Sequence, residues 1–257
     1  MITVVIPARM ASSRYPGKPL ELVMGLPLVE HVRRRALLAQ GVDHVVVATC
    51  DEPIKASIEG FGGRVVMTKD THQRCTDRVE EAMQSLQGDI IAMAQGDEPL
   101  LIPDAISQVT QPLLDDPLLD VVNLLSPLES PDDYTNPNIV KAVCDRQGNV
   151  IYLTRAPVPH FRQVVDVPVY RQTGIMAFRA SFLPRFSALA ETALEKAESV
   201  DMLRVLEHGI RIRGVLAGYT TLGIDRPGDV ELVEAVLRND PVQRALFERI
   251  SQQGDKL

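Results

Sequence analysis

Residues 1–20, MITVVIPARMASSRYPGKPL, carry an apolar run that turns directly into a small, basic loop. The run at 2–6 is typical of a buried strand, and the loop after it contains Arg9, Arg14 and Lys18 among serine, glycine and proline. Small residues let backbone N–H groups approach an anion, and the cations neutralise its charge. The loop therefore predicts a polyphosphate site. It lacks the GxxxxGK[ST] order of an ATPase loop and the GxGxxG order of a dinucleotide site, which indicates another kind of nucleotide-binding protein.

Strand-like and helix-like segments alternate from this stretch to about residue 100. The predicted strands are 2–6, 45–49, 64–67 and 90–94, and the predicted helices are 28–40, 53–61 and 76–86. This order predicts an α/β, Rossmann-like fold with a mostly parallel sheet and crossover helices. Ligands of such sheets bind beyond the carboxyl ends of the strands. The basic loop and the turn at 95–99 both follow strands, so we expect them at one edge of the sheet.

The pattern becomes β-rich between about 119 and 180, where Pro- and Asn-rich turns separate the apolar runs. The predicted strands here are 119–125, 140–145, 150–154 and 167–178, followed by helices at 181–189 and 199–207, a strand at 210–217 and helices between 227 and 251. No repeat, low-complexity segment or Ser/Gly linker interrupts the chain. We therefore predict a single domain over residues 1–257 with a β-rich lobe at about 119–180.

Composition narrows the class of protein further. The chain has 257 residues, of which 45% are hydrophobic and 24% charged, as in ordinary soluble globular proteins. No apolar run approaches the roughly 20 residues of a membrane span, and no secretory signal pattern opens the chain. We therefore expect a cytoplasmic protein without a membrane partner. The formal net charge of −7 argues against nucleic-acid binding. The run Arg33-Arg34-Arg35 is predicted to be a solvated helix face.

A second signal is the turn Gln95-Gly96-Asp97-Glu98-Pro99, which follows the predicted strand at 90–94. A carboxylate at the end of a buried strand is costly unless it is paired with a cation. Magnesium takes hard oxygen ligands, commonly one or two carboxylates together with phosphates and water. Beside a polyphosphate loop, Asp97 is therefore predicted to bind Mg²⁺.

These motifs resemble those of the sugar nucleotidyltransferases, most closely the 3-deoxy-manno-octulosonate (Kdo) cytidylyltransferase family. The resemblance runs from residue 2 to about 233 and is carried by IPAR, SSR and PGKPL, by QGDEP at 95–99 and by GIDRP at 223–227. It implies a nucleotide-diphospho-sugar transferase fold whose β-rich lobe forms a homodimer. The implied reaction is Mg²⁺-dependent transfer of CMP from CTP to a small sugar acid, with release of pyrophosphate, for lipopolysaccharide synthesis.

The resemblance also implies roles for individual residues. The catalytic residues would be Arg14, Lys18, Asp97 and Asp225, and Asp97 and Asp225 would be the Mg²⁺ ligands. The nucleotide-binding residues would be Pro7, Ala8, Arg9, Ser13, Arg78 and Gln95. The acceptor-binding residues would be Arg155, Gln172 and Asp201, with the Arg155 guanidinium facing the acceptor carboxylate.

The nucleotide motifs depart from the family at one place, where Arg74 and Cys75 replace a small Ser-Gly pair. This change adds bulk and charge beside the base pocket, so the base preference stays open. One alternative to an enzyme is a nucleotide-binding regulator that has lost catalysis. Such a protein is expected to have lost a carboxylate or a phosphate-binding cation, and this chain retains them.

The acceptor motifs depart further. Gln172 and Met176 replace a histidine and a tyrosine, and Asp201 and Met202 replace a Glu-Gln pair. Several polar sugar contacts are thus lost or shortened together. The acceptor is therefore either Kdo or a close analogue, or a different acid or phosphonate.

Overall fold

The structure is a computed structural model that describes residues 1–11, 15–72, 74–128, 130–163, 167–219 and 222–252. Its strands are β1 (Ile2–Pro7), β2 (Leu22–Val23), β3 (Leu26–Pro27), β4 (His44–Thr49), β5 (Arg64–Met67), β6 (Ile90–Ala94), β7 (Val121–Pro127), β8 (Lys141–Cys144), β9 (Val150–Thr154), β10 (Tyr170–Arg179) and β11 (Ile212–Leu216). Its helices are α1 (Leu28–Ala36), α2 (Glu52–Gly60), α3 (Cys75–Met83), α4 (Asp104–Asp115), α5 (Pro131–Thr135), α6 (Leu183–Ala188), α7 (Ala193–Glu198), α8 (Met202–Glu207), α9 (Asp229–Asn239) and α10 (Pro241–Ser251). Short 3₁₀ helices form at Lys18–Leu20 and Ala180–Phe182. In the described part of the chain, no helix is both long and apolar enough to cross a membrane.

The chain forms two compact units, one from the described residues of Met1–Ser107 and Thr221–Leu257, the other from those of Gln108–Thr220. In the first unit the strands run in the order β6-β1-β4-β5, all parallel. Strand β1 lies inside this sheet and is buried along its whole length. Helices join the parallel strands, which confirms the predicted α/β fold.

The carboxyl ends of β1 and β6 bring the two predicted loops together. Val5 pairs with Met93, so both strands end at the same edge of the sheet. The turn after β6 packs closely against the end of β1. A Cβ added at Gly96 would lie only 3.1 Å from the Pro7 carbonyl oxygen. Glycine is therefore the residue that permits this close approach.

The second unit contains β7 to β11 and α5 to α8. Strand β7 pairs antiparallel with β10 and parallel with β11, while β8 pairs antiparallel with both β10 and β9. These strands lie close to the runs that the sequence indicates between about 119 and 217. The single-domain organisation over residues 1–257 stays a prediction.

The arginine run in α1 is buried, so the predicted solvated face is wrong. Glu30 is fully buried and accepts from Arg33 Nε and Nη2, each at 2.6 Å, and from Arg34 Nε at 2.6 Å. Arg34 also donates to the Ile250 carbonyl at 2.7 Å. Helix α1 contacts β1, β4 and α10, which leaves it little access to solvent. Buried guanidinium groups require a partner, and Glu30 supplies it.

Arg35, the third arginine of the run, holds the chain that follows the Asp97 turn. Its Nη1 donates to the Leu101 carbonyl at 3.0 Å and to Gln243 Oε1 at 2.7 Å. Gln243 in turn donates to the Leu100 carbonyl at 2.9 Å. Burial lowers the pKa of Arg35 to about 10, so the guanidinium still carries its charge at neutral pH. Helices α1 and α10 thus fix the backbone just beyond the candidate metal ligand.

His31 makes the stability of the protein sensitive to acid. The ring is buried, Nε2 lies 2.7 Å from the Val23 carbonyl oxygen, and the ring stacks on Phe247. Burial, aided by Arg35 and Arg34, lowers the pKa of His31 from 6.5 to about 4. The unfolded chain therefore binds a proton between pH 6.5 and 4 that the native state does not. We expect the free energy of unfolding to fall as the pH is lowered from 6.5 to 4. The full contribution of His31 to this loss is about 3 kcal/mol.

The measurement is urea unfolding at a series of pH values on the wild type and on His31→Gln. Glutamine retains an N–H donor but does not titrate, so its stability is expected to vary less with pH between 6.5 and 4. Equal pH dependence in the two proteins would show that His31 is not the group responsible.

Candidate active site

A pocket of about 310 Å³ opens at the carboxyl edge of the parallel sheet in the first unit. This volume is in the range of small-molecule sites. Its lining residues are Pro7, Ala8, Arg9, Ala11, Lys18, Pro19, Cys75, Gln95, Gly96 and Asp97. The sequence predicts a functional role for Pro7, Ala8, Arg9, Lys18, Gln95 and Asp97. The structure therefore gathers these six into one cavity.

Lys18 connects the two carboxylates that the sequence singles out. Its Nζ lies 2.7 Å from Asp97 Oδ2 and 3.5 Å from Asp225 Oδ1, and its side chain is only 11% exposed. Gly17, with φ near +79°, turns the chain into the 3₁₀ helix that begins at Lys18. A positive φ of this kind is favourable for glycine. The glycine before Lys18 therefore helps to set the direction in which the chain enters the 3₁₀ helix.

A backbone hydrogen bond joins the two segments that carry Asp97 and Asp225. The Ile224 N–H donates to the Asp97 carbonyl at 2.9 Å, and Ile224 is fully buried. A Cβ added at Gly223 would lie 3.3 Å from the same carbonyl oxygen. The strand-end turn and the segment before α9 are therefore held together independently of the carboxylates.

Asp229 holds the Asp225 segment in place. One oxygen, Oδ2, accepts from the N–H groups of Asp225 and Arg226, each at 2.8 Å. The sequence gives Asp229 no role of its own, although an acidic residue in the first turn of a helix is a recognisable signal.

The carboxylate pair is chemically suited to a divalent cation. One ammonium group already lies within 3.5 Å of both Asp97 and Asp225, so both can face a single positive charge. No group of three or more His, Cys, Asp or Glu side chains suited to a metal occurs among the residues described. A cation here would depend on two carboxylates and on ligands from a bound substrate or water, as is usual for Mg²⁺.

Arg78 lines a smaller cavity that shares Pro7, Ala8, Arg9 and Cys75 with the main pocket. Its side chain is buried, with Nη1 donating to Thr68 Oγ1 and, at 3.3 Å, to the Lys69 carbonyl. Nη2 is buried and has no hydrogen-bond partner within the described part of the chain. A buried donor of this kind carries a desolvation cost that an acceptor on a ligand would relieve. Arg74 and Cys75 line the same cavity.

The predicted acceptor residues all lie in the second unit. Arg155 donates to the carbonyls of Glu198 at 2.7 Å, Pro137 at 3.0 Å and Asn138 at 3.3 Å. Gln172 donates to Asn123 Oδ1 at 2.9 Å. Asp201 directly precedes α8. Ser13, predicted to bind the nucleotide, and Arg14, predicted to be catalytic, lie outside the described residues.

The two methionines that replace polar family residues are both buried. Met202 has no exposed surface and Met176 is 4% exposed. Lys141, for which the sequence gives no role, is also buried, and its ammonium donates to the carbonyls of Asn136, Ile139 and Arg155, each at 2.8 Å. Burial lowers the pKa of Lys141. Lys141 thus braces the same backbone that Arg155 contacts.

Comparison with known proteins shows what this chain is similar to. Residues 3–212 match the sequence profile of the cytidylyltransferase family. The chain is 42% identical over 240 residues to the 3-deoxy-manno-octulosonate cytidylyltransferase of Pelobacter propionicus, which covers 89% of this chain and 94% of that protein. The enzyme of the same name from Geobacter metallireducens is 41% identical over 243 residues, which cover 90% of this chain and 96% of that protein.

Solved structures give the same result at the level of the fold. A CMP:2-keto-3-deoxy-manno-octonic acid synthetase complexed with CTP superposes with a TM-score of 0.89 at 37% identity, covering 93% of this chain and 99% of that one. A 4-diphosphocytidyl-2C-methyl-D-erythritol synthase from Anaerococcus prevotii superposes with a TM-score of 0.63 at 14% identity, covering 93% of this chain and 98% of that one. This second similarity is one of fold alone.

Proposed function

Because this chain belongs to the cytidylyltransferase family, we propose that it transfers the CMP moiety of CTP to 3-deoxy-manno-octulosonate (Kdo) and releases pyrophosphate. The observation that carries the proposal is the meeting of Lys18, Asp97 and Asp225 beside the pocket at the carboxyl edge of the sheet. The names of the relatives at 41–42% identity and the CTP held by the solved neighbour support it.

In this reaction a hydroxyl of the acceptor attacks the α-phosphorus of CTP, and the bond to pyrophosphate breaks. The protein contributes by positioning the reactants and by neutralising charge. Arg9, Arg78, Gln95 and the backbone of Pro7 and Ala8 would hold the nucleotide, with Ser13. Lys18 and Arg14 would stabilise the charge that develops on the leaving pyrophosphate. In the second unit, Arg155 would orient the acceptor carboxylate, and Gln172 and Asp201 would bind its hydroxyl groups.

Asp97 and Asp225 are the residues that would hold Mg²⁺. When bound, Mg²⁺ neutralises phosphate charge and lowers the pKa of a coordinated hydroxyl. The carboxylate pair supports this role, because both groups already face one cation and are joined through the Ile224–Asp97 backbone hydrogen bond.

We also propose that the protein is a cytoplasmic homodimer that supplies CMP-Kdo for lipopolysaccharide synthesis. In the second unit, Val167 and Leu216 are 43% and 54% exposed and line one cavity of about 510 Å³. Adjacent exposed apolar side chains are typical of surfaces that bind another protein. Light scattering on the purified protein gives the oligomeric state, and a monomer would contradict the dimer.

A second candidate is transfer of CMP to a different sugar acid or to a phosphonate. The favouring observation is that Gln172 bonds to Asn123 while Met176 and Met202 are buried. These three side chains stand where the sequence predicts acceptor contacts, and two of them have no polar group to offer a sugar hydroxyl.

The experiment is pyrophosphate release with Mg²⁺ and each of CTP, UTP, ATP and GTP. Each nucleotide is crossed with Kdo, its 8-amino analogue and simple phosphonates. We expect pyrophosphate release only from the combination of CTP with Kdo. Release with CTP and only another acceptor would favour the second candidate. CTP binding without release from any acceptor would overturn both in favour of a nucleotide-binding regulator.

Asp229→Ala is expected to lower kcat about tenfold, because the lost hydrogen bonds to Asp225 and Arg226 are together worth about 1–2 kcal/mol. The half-saturating Mg²⁺ concentration is expected to rise as well. Asp229→Asn keeps an oxygen acceptor and is the matched control, with most of the activity retained. If both variants keep the wild-type Mg²⁺ dependence, Asp229 does not position Asp225.

A further inference from the structure

The ammonium of Lys18 lies within ion-pair distance of both Asp97 and Asp225. Its distances of 2.7 and 3.5 Å to the two carboxylates make it their common counter-ion. Two carboxylates held close together repel each other unless a positive charge is near. The Ile224–Asp97 backbone hydrogen bond keeps the two segments together, so the backbone cannot move apart to relieve this repulsion.

Burial strengthens this arrangement. The Lys18 side chain is 11% exposed, whereas those of Asp97 and Asp225 are 29% and 48% exposed. The Lys18 side chain is therefore largely shielded from water, whereas the two carboxylates with which it pairs remain more exposed. A tethered cation also has a high effective concentration at the pair, which a free cation has to overcome.

An anion that enters the pocket would offer Lys18 an alternative partner. Lys18 lines the cavity together with Arg9, so the phosphates of a bound nucleotide would offer it new hydrogen-bond acceptors. The transfer of Lys18 from the carboxylates to a phosphate would remove its positive charge from both Asp97 and Asp225.

We propose that Lys18 is a resident counter-ion that weakens divalent-cation binding at Asp97 and Asp225 until a nucleotide draws its ammonium away. Metal binding and nucleotide binding are then coupled, and the coupling acts in both directions. This inference rests on the proposed function for the identity of the nucleotide as CTP and of the cation as Mg²⁺.

The test measures Mn²⁺ binding by electron paramagnetic resonance, with and without CTP and without acceptor. Wild-type protein is expected to bind Mn²⁺ weakly in the absence of CTP. Lys18→Gln removes the charge and is expected to bind Mn²⁺ about tenfold more tightly without CTP, within the usual range of coupling between sites. The factor by which CTP tightens Mn²⁺ binding is expected to shrink correspondingly.

Two controls separate this effect from a general change in charge. Lys18→Arg keeps a cation at the pair and is expected to bind Mn²⁺ as weakly as the wild type. Lys55→Gln removes a lysine that pairs with Glu52 at 3.6 Å on the surface of α2, and is expected to change nothing. Unchanged Mn²⁺ affinity in folded Lys18→Gln without CTP would overturn the proposal.

A second measurement on the wild type covers the case in which Lys18→Gln does not fold. Nitrogen-15 NMR of the lysine ammonium groups is expected to show that Mg²⁺ alone leaves the Lys18 signal in place, and that Mg²⁺ with CTP shifts it. An equal shift with Mg²⁺ alone would overturn the proposal. Neither measurement requires turnover, so a failure of the proposed transfer reaction shows separately, as silence in the pyrophosphate assay.

Discussion

Asp97→Asn is expected to lower kcat by roughly 10²- to 10³-fold, the size of loss seen when one preorganised electrostatic contact is removed from an active site. The carboxamide keeps the shape of the side chain but not its charge, so it can neither pair fully with Lys18 nor bind Mg²⁺ as a carboxylate does. The measurement is steady-state pyrophosphate release from CTP at saturating acceptor, across a series of Mg²⁺ concentrations.

Asp104→Asn is the matched control, because it removes a carboxylate from an exposed position in the same unit and is expected to keep full activity. Asp225→Asn is expected to reduce kcat similarly. The double variant should lose much less than the product of the two single losses, since both residues serve one cation. Full turnover by Asp97→Asn would contradict the metal assignment.

Glu30→Ala is expected to lower the free energy of unfolding by about 3–5 kcal/mol, because it leaves two buried guanidinium groups without their carboxylate. Arg33 and Arg34 are 7% and 4% exposed, so water cannot readily replace Glu30. The measurement is urea unfolding, read as a shift of the midpoint at an unchanged slope.

The chain supplies its own control for Glu30. Glu52, 73% exposed at the side chain, pairs with Lys55 at 3.6 Å on the surface of α2. Glu52→Ala is expected to cost less than about 1 kcal/mol, as is usual for exposed ion pairs. If Glu30→Ala costs no more than Glu52→Ala, the buried cluster does not contribute to stability as its geometry indicates.

Most elements of the first unit could be predicted from local patterns. The strands at 64–67 and 90–94 have the predicted bounds, because β-branched apolar runs flanked by glycine and aspartate are themselves local signals. Helix α4 is not among the predicted elements, although its apolar residues Ile106, Val109 and Leu113 are buried at helical spacing. Pro112 lies inside this helix, and proline is usually a signal against a helix interior.

The candidate site divides in the same way. The residue types and their order indicated a polyphosphate loop, a carboxylate turn and the family to which the chain belongs. The sequence indicated Lys18 as a catalytic residue, but not that its ammonium pairs with both Asp97 and Asp225. Nη2 of Arg78 is buried and has no hydrogen-bond partner in the described residues, and no sequence motif predicts that property.

The sequence by itself therefore determined the class of fold, the edge of the sheet that carries the pocket and six of the residues that line it. Only the tertiary structure decided that Arg33, Arg34 and Arg35 are buried and that Lys18 meets Asp97 across 79 residues of chain. Strand and turn signals arise from neighbours along the chain. Burial and ion pairing depend on which distant segments pack together, and no local pattern contains that information.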